Sequence, residues 1–452
     1  MSTDKQKAGL LASRLNTNRL NTAAAGATRP GTNPLPLAEA RTIPETGLTE
    51  SFITDLIVKL IYNAGQISGH EINQQVKLPF KGVVEPILDF LKREEMVSVV
   101  GTRGIGERGY NYALAGKGIE RTHEALGRNQ YVGPAPVPLR RWTEQVLAQS
   151  VAGQVVREED VRAALADIII SQDTFRRIGP AVNSGRSLFL FGPPGNGKTS
   201  IARAIARMQK GYGYIPHAIE VDGNIIRMFD RLNHEAVDVP PPESGTPGAD
   251  ERWVLCKRPV LVVGGELTLN NLDLIYDPQS KHYEAPFQMK AINGMFLIDD
   301  FGRQQTRPQD LLNRWIVPLE TRVDFLTLHT GKKIEIPFDE LIVFSTNLDP
   351  KALVDEAFLR RIRHKLEIKN PSDSEFYQIF QRVAAGRKVP FDQQVFIYLM
   401  QEWYIKKNRG LRAVHPRDLL DQIIDIANYE GVSPVMTKET IDQACASYFV
   451  EL

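Results

Sequence analysis

Ser187-Leu-Phe-Leu-Phe191 runs directly into Gly192-Pro-Pro-Gly-Asn-Gly-Lys-Thr199, and residues 200–208 continue with apolar side chains at helical spacing. An apolar strand, a glycine loop closing on Gly-Lys-Thr and a helix make up the P-loop pattern in the setting it requires. Gly192, Gly195 and Gly197 let backbone N–H groups turn inward as an anion nest, with Pro193, Pro194 and Asn196 completing the loop. The helix that opens at Ser200 adds the positive end of its dipole. Lys198 places an ammonium on the outer phosphates of a nucleotide, and the Thr199 hydroxyl is the expected Mg²⁺ ligand.

Working outward, Gly294-Met-Phe-Leu-Ile-Asp-Asp300 is a second apolar run, ending in two carboxylates. This is the Walker B arrangement. Asp299 is expected to hold Mg²⁺ through its water shell, because Mg²⁺ keeps several waters. Asp300 is expected to orient and polarise an attacking water. A third run, Leu341-Ile-Val-Phe-Ser-Thr-Asn347, ends in an amide. Asn347 is placed to hold that water or the terminal phosphate from the opposite side, although Asn is also a common strand-end turn residue. Parallel strands with polar groups at their carboxyl edge are how open α/β sheets build sites.

The flanks are of other kinds. Past Pro371 the spacing is helical only, with segments near 372–385, 391–407, 416–429 and 437–449. At the other end, residues 1–49 hold no Phe, Tyr or Trp, and carry six basic against three acidic side chains. Such a stretch buries too little apolar surface to offset its ordering entropy, so it reads as a disordered tail. Residues 49–64, 71–76 and 83–95 have helical spacing; an extended apolar piece at 96–100, a glycine-rich turn at 101–109 and a strand at 110–115 follow. Residues 127–150 include Gly133-Pro-Ala-Pro-Val-Pro-Leu139, which reads as an extended linker. The loop 238–250 is rich in Pro and Gly.

Composition narrows the class. The 452 residues carry 55 Lys+Arg against 54 Asp+Glu, so no global basic coat for nucleic acid is present. Two cysteines, Cys256 and Cys445, lie far apart without neighbouring His or Cys, which rules out a disulfide framework or a Cys-based zinc site and fits a reducing compartment. No apolar run approaches the ~20 residues that span a bilayer, and the N-terminus lacks a signal-peptide core. The expectation is a cytoplasmic protein without a membrane role.

In order, the P-loop, Walker B strand, strand-end Asn, later arginines and helical end resemble the AAA+ ATPase superfamily over roughly residues 150–452. The resemblance implies an α/β fold with a three-layer αβα P-loop core at 151–370, an all-α lid at 371–452, ATP and Mg²⁺ as cofactors, and a homo-oligomeric ring, plausibly a hexamer. Asp355-Glu-Ala-Phe-Leu-Arg-Arg-Ile362 matches the place of the arginine finger, so Arg361 and, beside it, Arg360 are the implied catalytic groups acting on a neighbouring subunit. Val414-His-Pro-Arg-Asp-Leu419 resembles the sensor-2 motif and makes Arg417 the implied phosphate contact, against the plainer reading of a surface pair with Asp418 or Asp421. The candidate hairpin 322–337 looks like the insert shared by MoxR-type and enhancer-binding-type ATPases, and 266–290, with a turn at Asp277-Pro-Gln-Ser-Lys281, looks similar to a helix-2 insert; both would touch substrate in a pore. Asp300 departs from the Glu common at that position, and Met228-Phe229 is a weak match to a pore loop. Residues 50–126 resemble a winged helix, with Tyr112-Ala-Leu-Ala-Gly-Lys-Gly118 as its finish. Winged helices often bind DNA, but this one holds nine basic and ten acidic side chains. Only Arg103, Arg108 and Lys117 lean towards DNA, so a protein client is placed ahead of DNA as its partner.

Overall fold

Five short strands, four of them apolar, set the centre of the molecule. The computed structural model describes residues 37–102, 104, 106–238, 248–353 and 359–449. Ser187–Phe191, Val260–Val263, Met295–Ile298, Leu341–Thr346 and His364–Glu367 form one all-parallel sheet, with the Ser187–Phe191 strand lying between Leu341–Thr346 and His364–Glu367. Strand side chains alternate between faces, and each face has its own core. Phe189, Phe296, Phe344 and Trp315 fill one side; Leu188, Leu190, Ile201, Ile205 and Val343 fill the other. Phe189 stacks on Phe344 with ring centroids 5.8 Å apart, and Trp315 meets Phe344 edge-on at 5.9 Å. A parallel sheet buried on both faces needs these near-continuous apolar strands.

Beside this sheet lies a mixed one, in which Ile275–Asp277, His282–Glu284, Asn224–Arg227, Ala218–Val221 and Val137–Pro138 follow in that spatial order. Within residues 266–290, Ile275–Asp277 and His282–Glu284 form an antiparallel β-hairpin that turns at 277–282, where the sequence suggested a turn. The hairpin of Val323–Thr327 with Lys333–Pro337 packs against it through Tyr276, Tyr283 and His329; the Tyr276 and His329 rings are 4.2 Å apart. Met228 is fully buried in this core, so it is not available as a pore-loop residue.

At the N-terminal end, helices Glu50–Ala64, Gly69–Val76 and Glu85–Arg93 precede strands Val97–Thr102 and Tyr110–Leu114, which share an antiparallel sheet with Gln66–Ser68. Thr49 caps the first helix by accepting from the Phe52 N–H, and Ser68 and Glu71 form a capping box on the second. At the C-terminal end, Asp373–Arg387, Gln393–Leu399, His415–Glu430 and Lys438–Tyr448 form a helical unit around Phe376, Phe380, Phe396 and Tyr404.

Two segments differ from their sequence reading. Residues 37–49 fold: Ile43–Thr46 is helical, the Glu39 N–H donates to the Gly248 carbonyl, and Gly82 (φ +82°) approaches the Arg41 carbonyl so closely that a Cβ would collide with it. The expectation for residues 1–36 lies outside the described residues, as do Arg103 and most of the 238–250 loop. Residues 127–150 are not a free linker. Leu139–Ala148 is a helix whose Trp142 is buried in the mixed-sheet core, and Val137–Pro138 pairs with Ala218–Val221. Composition alone misses both, because the partners that order these segments are distant in sequence.

One buried ion pair ties those segments together. Arg252 has no solvent exposure and makes a bidentate pair with Asp250 (2.9 and 2.8 Å), while its third nitrogen donates to the Thr46 carbonyl at 2.9 Å. Arg141 adds a second cation to Asp250 at 3.1 Å. Removing one partner of a buried pair costs about 3–5 kcal/mol. Amide exchange within residues 43–57 of Arg252→Ala should therefore quicken by about 10²- to 10⁴-fold; unchanged protection would show that the pair does not hold this segment.

Candidate nucleotide site

All five parallel strands end at one edge of the sheet, and the P-loop is held there by backbone geometry. Gly192 (φ +138°) passes so close to the Ile368 carbonyl that any side chain would clash, and Gly195 and Gly197 take φ values of +80° and +78°. The helix Lys198–Met208 starts at the loop's end. Lys198 is buried, and its ammonium donates to the Gly192 carbonyl (2.9 Å), the Pro193 carbonyl (2.9 Å) and Asn347 Oδ1 (2.6 Å). Burial lowers its pKa from the ordinary lysine value, with Asp299 and Asp300 pulling the other way.

The other residues named from the sequence meet here. Thr199 Oγ1 donates to Asp299 Oδ2 at 2.7 Å, and Asn347 Nδ2 donates to Asp300 Oδ1 at 3.1 Å. Asn347 thus bridges the lysine and the second carboxylate. Asp300 sits at φ +48°, a conformation aspartate tolerates better than most side chains. Its position is pinned by the next residue: the Phe301 N–H donates to the Ser345 carbonyl (2.7 Å), and Thr346 Oγ1 donates to the Phe301 carbonyl (2.6 Å).

These groups line a cavity of about 650 Å³, together with Pro194, Ser200, Asp167–169 on one side and Val414 and Arg417 of the helical unit on the other. That volume suits a nucleotide-sized ligand. Two other concavities, of about 880 and 970 Å³, are larger, but neither carries a glycine nest. Arg417 lines the cavity, with its guanidinium bonded to Asp418 (Nε to Oδ1 2.9 Å). Arg361 does not line it; its Nε pairs with Glu320 at 2.5 Å, and Arg360 is exposed beside it. Residues 354–358 of the segment before these arginines lie outside the described residues.

Sequence reasoning missed the clamp between the loop and the helical unit. Asn196 is buried; it donates to Asn370 Oδ1 (2.8 Å) and accepts from the Ala413 N–H (3.1 Å), while the Val414 N–H donates to the Gly195 carbonyl (2.8 Å). Arg382 reaches across to the Ala166 carbonyl at 2.9 Å. No local pattern marks such pairs, since they join positions about 170 to 220 residues apart.

A profile described as a domain of unknown function (DUF8689) matches residues 372–447, within the helical unit. No curated protein matches the chain. Among solved structures, the chain is similar to the Thermotoga maritima RuvB Holliday junction branch migration motor, at 15% identity over 65% of this chain and 74% of that one, with a TM-score of 0.37. It is also similar to NtrX from Brucella abortus in complex with ADP, at 13% identity over 71% and 64% of the two chains, with a TM-score of 0.38. Likeness at that level is too slight to transfer a property, and the chemistry of the site stands on its own residues.

The clamp has a direct test. Asn196→Ala removes the acceptor of the Ala413 N–H, and a net hydrogen bond is worth about 0.5–1.5 kcal/mol. Exchange at Ala413 and Val414 should quicken by up to about tenfold. Unaltered exchange there would mean the helical unit is held against the loop by other contacts.

Proposed function

We propose that the chain is an AAA+ ATPase that hydrolyses ATP to ADP and phosphate with Mg²⁺ and works in the cytoplasm as a homo-oligomeric ring, plausibly a hexamer. The observation that carries this reading is the linked set Lys198–Asn347–Asp300 beside Thr199–Asp299, at the carboxyl edge of a parallel sheet and under a helical unit. In this reading the Lys198 ammonium neutralises the outer phosphates, and the P-loop amides cradle them. The Thr199 hydroxyl and Asp299 carboxylate are adjacent hard oxygen donors and fit Mg²⁺, which would supply positive charge between the outer phosphates. Asp300 accepts a hydrogen bond from the attacking water, and Asn347 holds the carboxylate in register. Arg417 turns from Asp418 to a phosphate within its own chain. Arg361, which lies outside its own chain's cavity, exchanges Glu320 for the nucleotide of a neighbouring subunit, with Arg360 beside it. Both thiols are buried, and burial raises each to a pKa of about 12, as suits inert cysteines in a reducing compartment.

Residues 50–126 are read as a winged helix that recruits a protein client, with DNA binding as the second reading. The charges support that order. Lys92 is paired with Asp89 (2.7 Å) and Glu107 (2.5 Å), Lys117 with Glu95 (3.1 Å), and Arg121 with Asp55 (3.1 Å). Arg108 bonds to Asn73 and covers the Phe80 ring. Cations engaged in this way offer little to phosphates. Among the described residues, no helix is long and apolar enough to cross a membrane.

Two measurements test the reading. Asp300→Asn should keep ATP binding and lose at least about 100-fold in steady-state turnover; equal turnover would remove Asp300 from the reaction. Arg361→Ala and Lys198→Ala subunits should each be inactive alone and regain activity on mixing, since one supplies an intact nucleotide site and the other an intact finger. Absence of recovery in mixtures shown to co-assemble would argue against a finger acting between subunits.

A further inference from the structure

The helix Lys198–Met208 ends at a second concavity, remote from the nucleotide site. About 14 Å along its axis from Lys198, by helical rise, Arg207 opens onto a concavity of about 880 Å³ at the opposite edge of the sheet, where the strand Val260–Val263 begins. Arg203, one turn earlier, joins it, and Arg231, Lys257 and Arg258 complete a cationic wall drawn from three separate segments. Glu235 is the sole acidic side chain in this lining among the described residues, and it pairs with Lys257 at 2.5 Å. The arginines make no ion pair among the described residues, although Arg258 is largely buried and faces the charge of Asp339. Arg207 donates only to the Ala164 carbonyl (2.9 Å), and Arg258 to the carbonyls of Gln149 (2.8 Å) and Asn293 (3.3 Å). Arg203 and Arg231 make no hydrogen bond or ion pair among the described residues, and both are exposed.

The neighbouring concavity is the contrast. Its Lys290 pairs with Asp230 (2.9 Å) and its Arg227 with Glu284 (3.1 Å), so of its cations Arg231 alone, which borders both hollows, is left without a carboxylate among the described residues. Uncompensated like charges gathered in a hollow repel one another and raise the local concentration of an anion. Arg203, Arg207 and Arg231 are exposed, and their planar forks match phosphate oxygens. Tyr212 adds a partly exposed ring to the same wall, and cations beside an aromatic face are the means by which proteins hold single strands.

We propose that this concavity binds the sugar–phosphate backbone of a single-stranded nucleic acid. The site shares no residue with 50–126 or with the lining of the nucleotide cavity. The cations on three segments grip successive phosphates, and Tyr212 offers a stacking face to a base. DNA and RNA share this chemistry, so both are probes.

The test uses the full chain and the fluorescence anisotropy of labelled 20-nucleotide oligo-dT and oligo-rU, titrated at several salt concentrations. Wild-type protein should bind at least one of them, and the tighter probe identifies the strand. Arg203→Ala/Arg231→Ala should weaken that binding at least tenfold and flatten the slope of log affinity against log salt by about 1.4, as expected for two lost phosphate contacts on a single strand. These two side chains are exposed and unpaired, so folding and ATP binding should persist in the same preparation. Arg108→Ala/Lys117→Ala, altered in residues 50–126, should bind like wild type. The proposal is overturned if wild-type protein binds neither oligonucleotide at low salt, if the Arg203/Arg231 variant binds as well as wild type, or if only the Arg108/Lys117 variant loses binding. Displacement of the oligonucleotide by polyglutamate at equal charge concentration would also overturn it, in favour of an acidic protein segment.

Discussion

An ammonium taken out of water must be given acceptors, and the site grows from how this chain does that for Lys198. Its three partners are two carbonyls of its own loop and the amide of Asn347. The carbonyls are available because glycines at positive φ turn the loop back on itself. The amide is available because the Leu341–Thr346 strand runs parallel to Ser187–Phe191 and ends level with it. Asn347 then passes the constraint on to Asp300 through its other side-chain atom. Lysine, amide and carboxylate therefore share one chain of hydrogen bonds, and a phosphate entering between them would compete for each link.

The same economy joins the parts of the molecule. Asn196 sits inside the P-loop yet bonds to the helical unit, so loop position and helical-unit position are coupled by a few short contacts. At the far side, Arg252 and Asp250 are buried together and draw in the carbonyl of Thr46. A buried guanidinium must be satisfied by acceptors, and that demand fastens residues 37–49 and 134–141 to the mixed sheet. Both clamps are polar groups with low exposure, and neither belongs to a recognisable motif.

How much of this was legible in the chain depends on how local each feature is. Lys198, Thr199, Asp299, Asp300 and Asn347 could be named because each stands at a fixed offset from an apolar run, and parallel strands bring such offsets to one edge. The four C-terminal helices followed from spacing. In 266–290 the turn was legible but its strands were not, since Ile275–Asp277 and His282–Glu284 are only three residues each, and the latter gains its order from pairing with Asn224–Arg227. Residues 37–49 and 127–150 read as tail and linker because Pro, Ala and Thr are poor in apolar surface. Tyr131, Trp142 and Val146, all buried, are the signals that the second stretch is anchored.

The sequence by itself determined the parallel apolar strands, the glycine loop and the set of polar groups at the strand ends, because these depend on steric freedom and periodicity within about ten residues. Tertiary structure alone decided which groups share a proton-donor network, that Arg361 pairs with Glu320 and Arg417 with Asp418, and that charges summing to nearly zero still leave Arg203, Arg207 and Arg231 in one hollow. Net charge is a sum over the chain, whereas electrostatic potential falls with distance, and only the fold sets those distances.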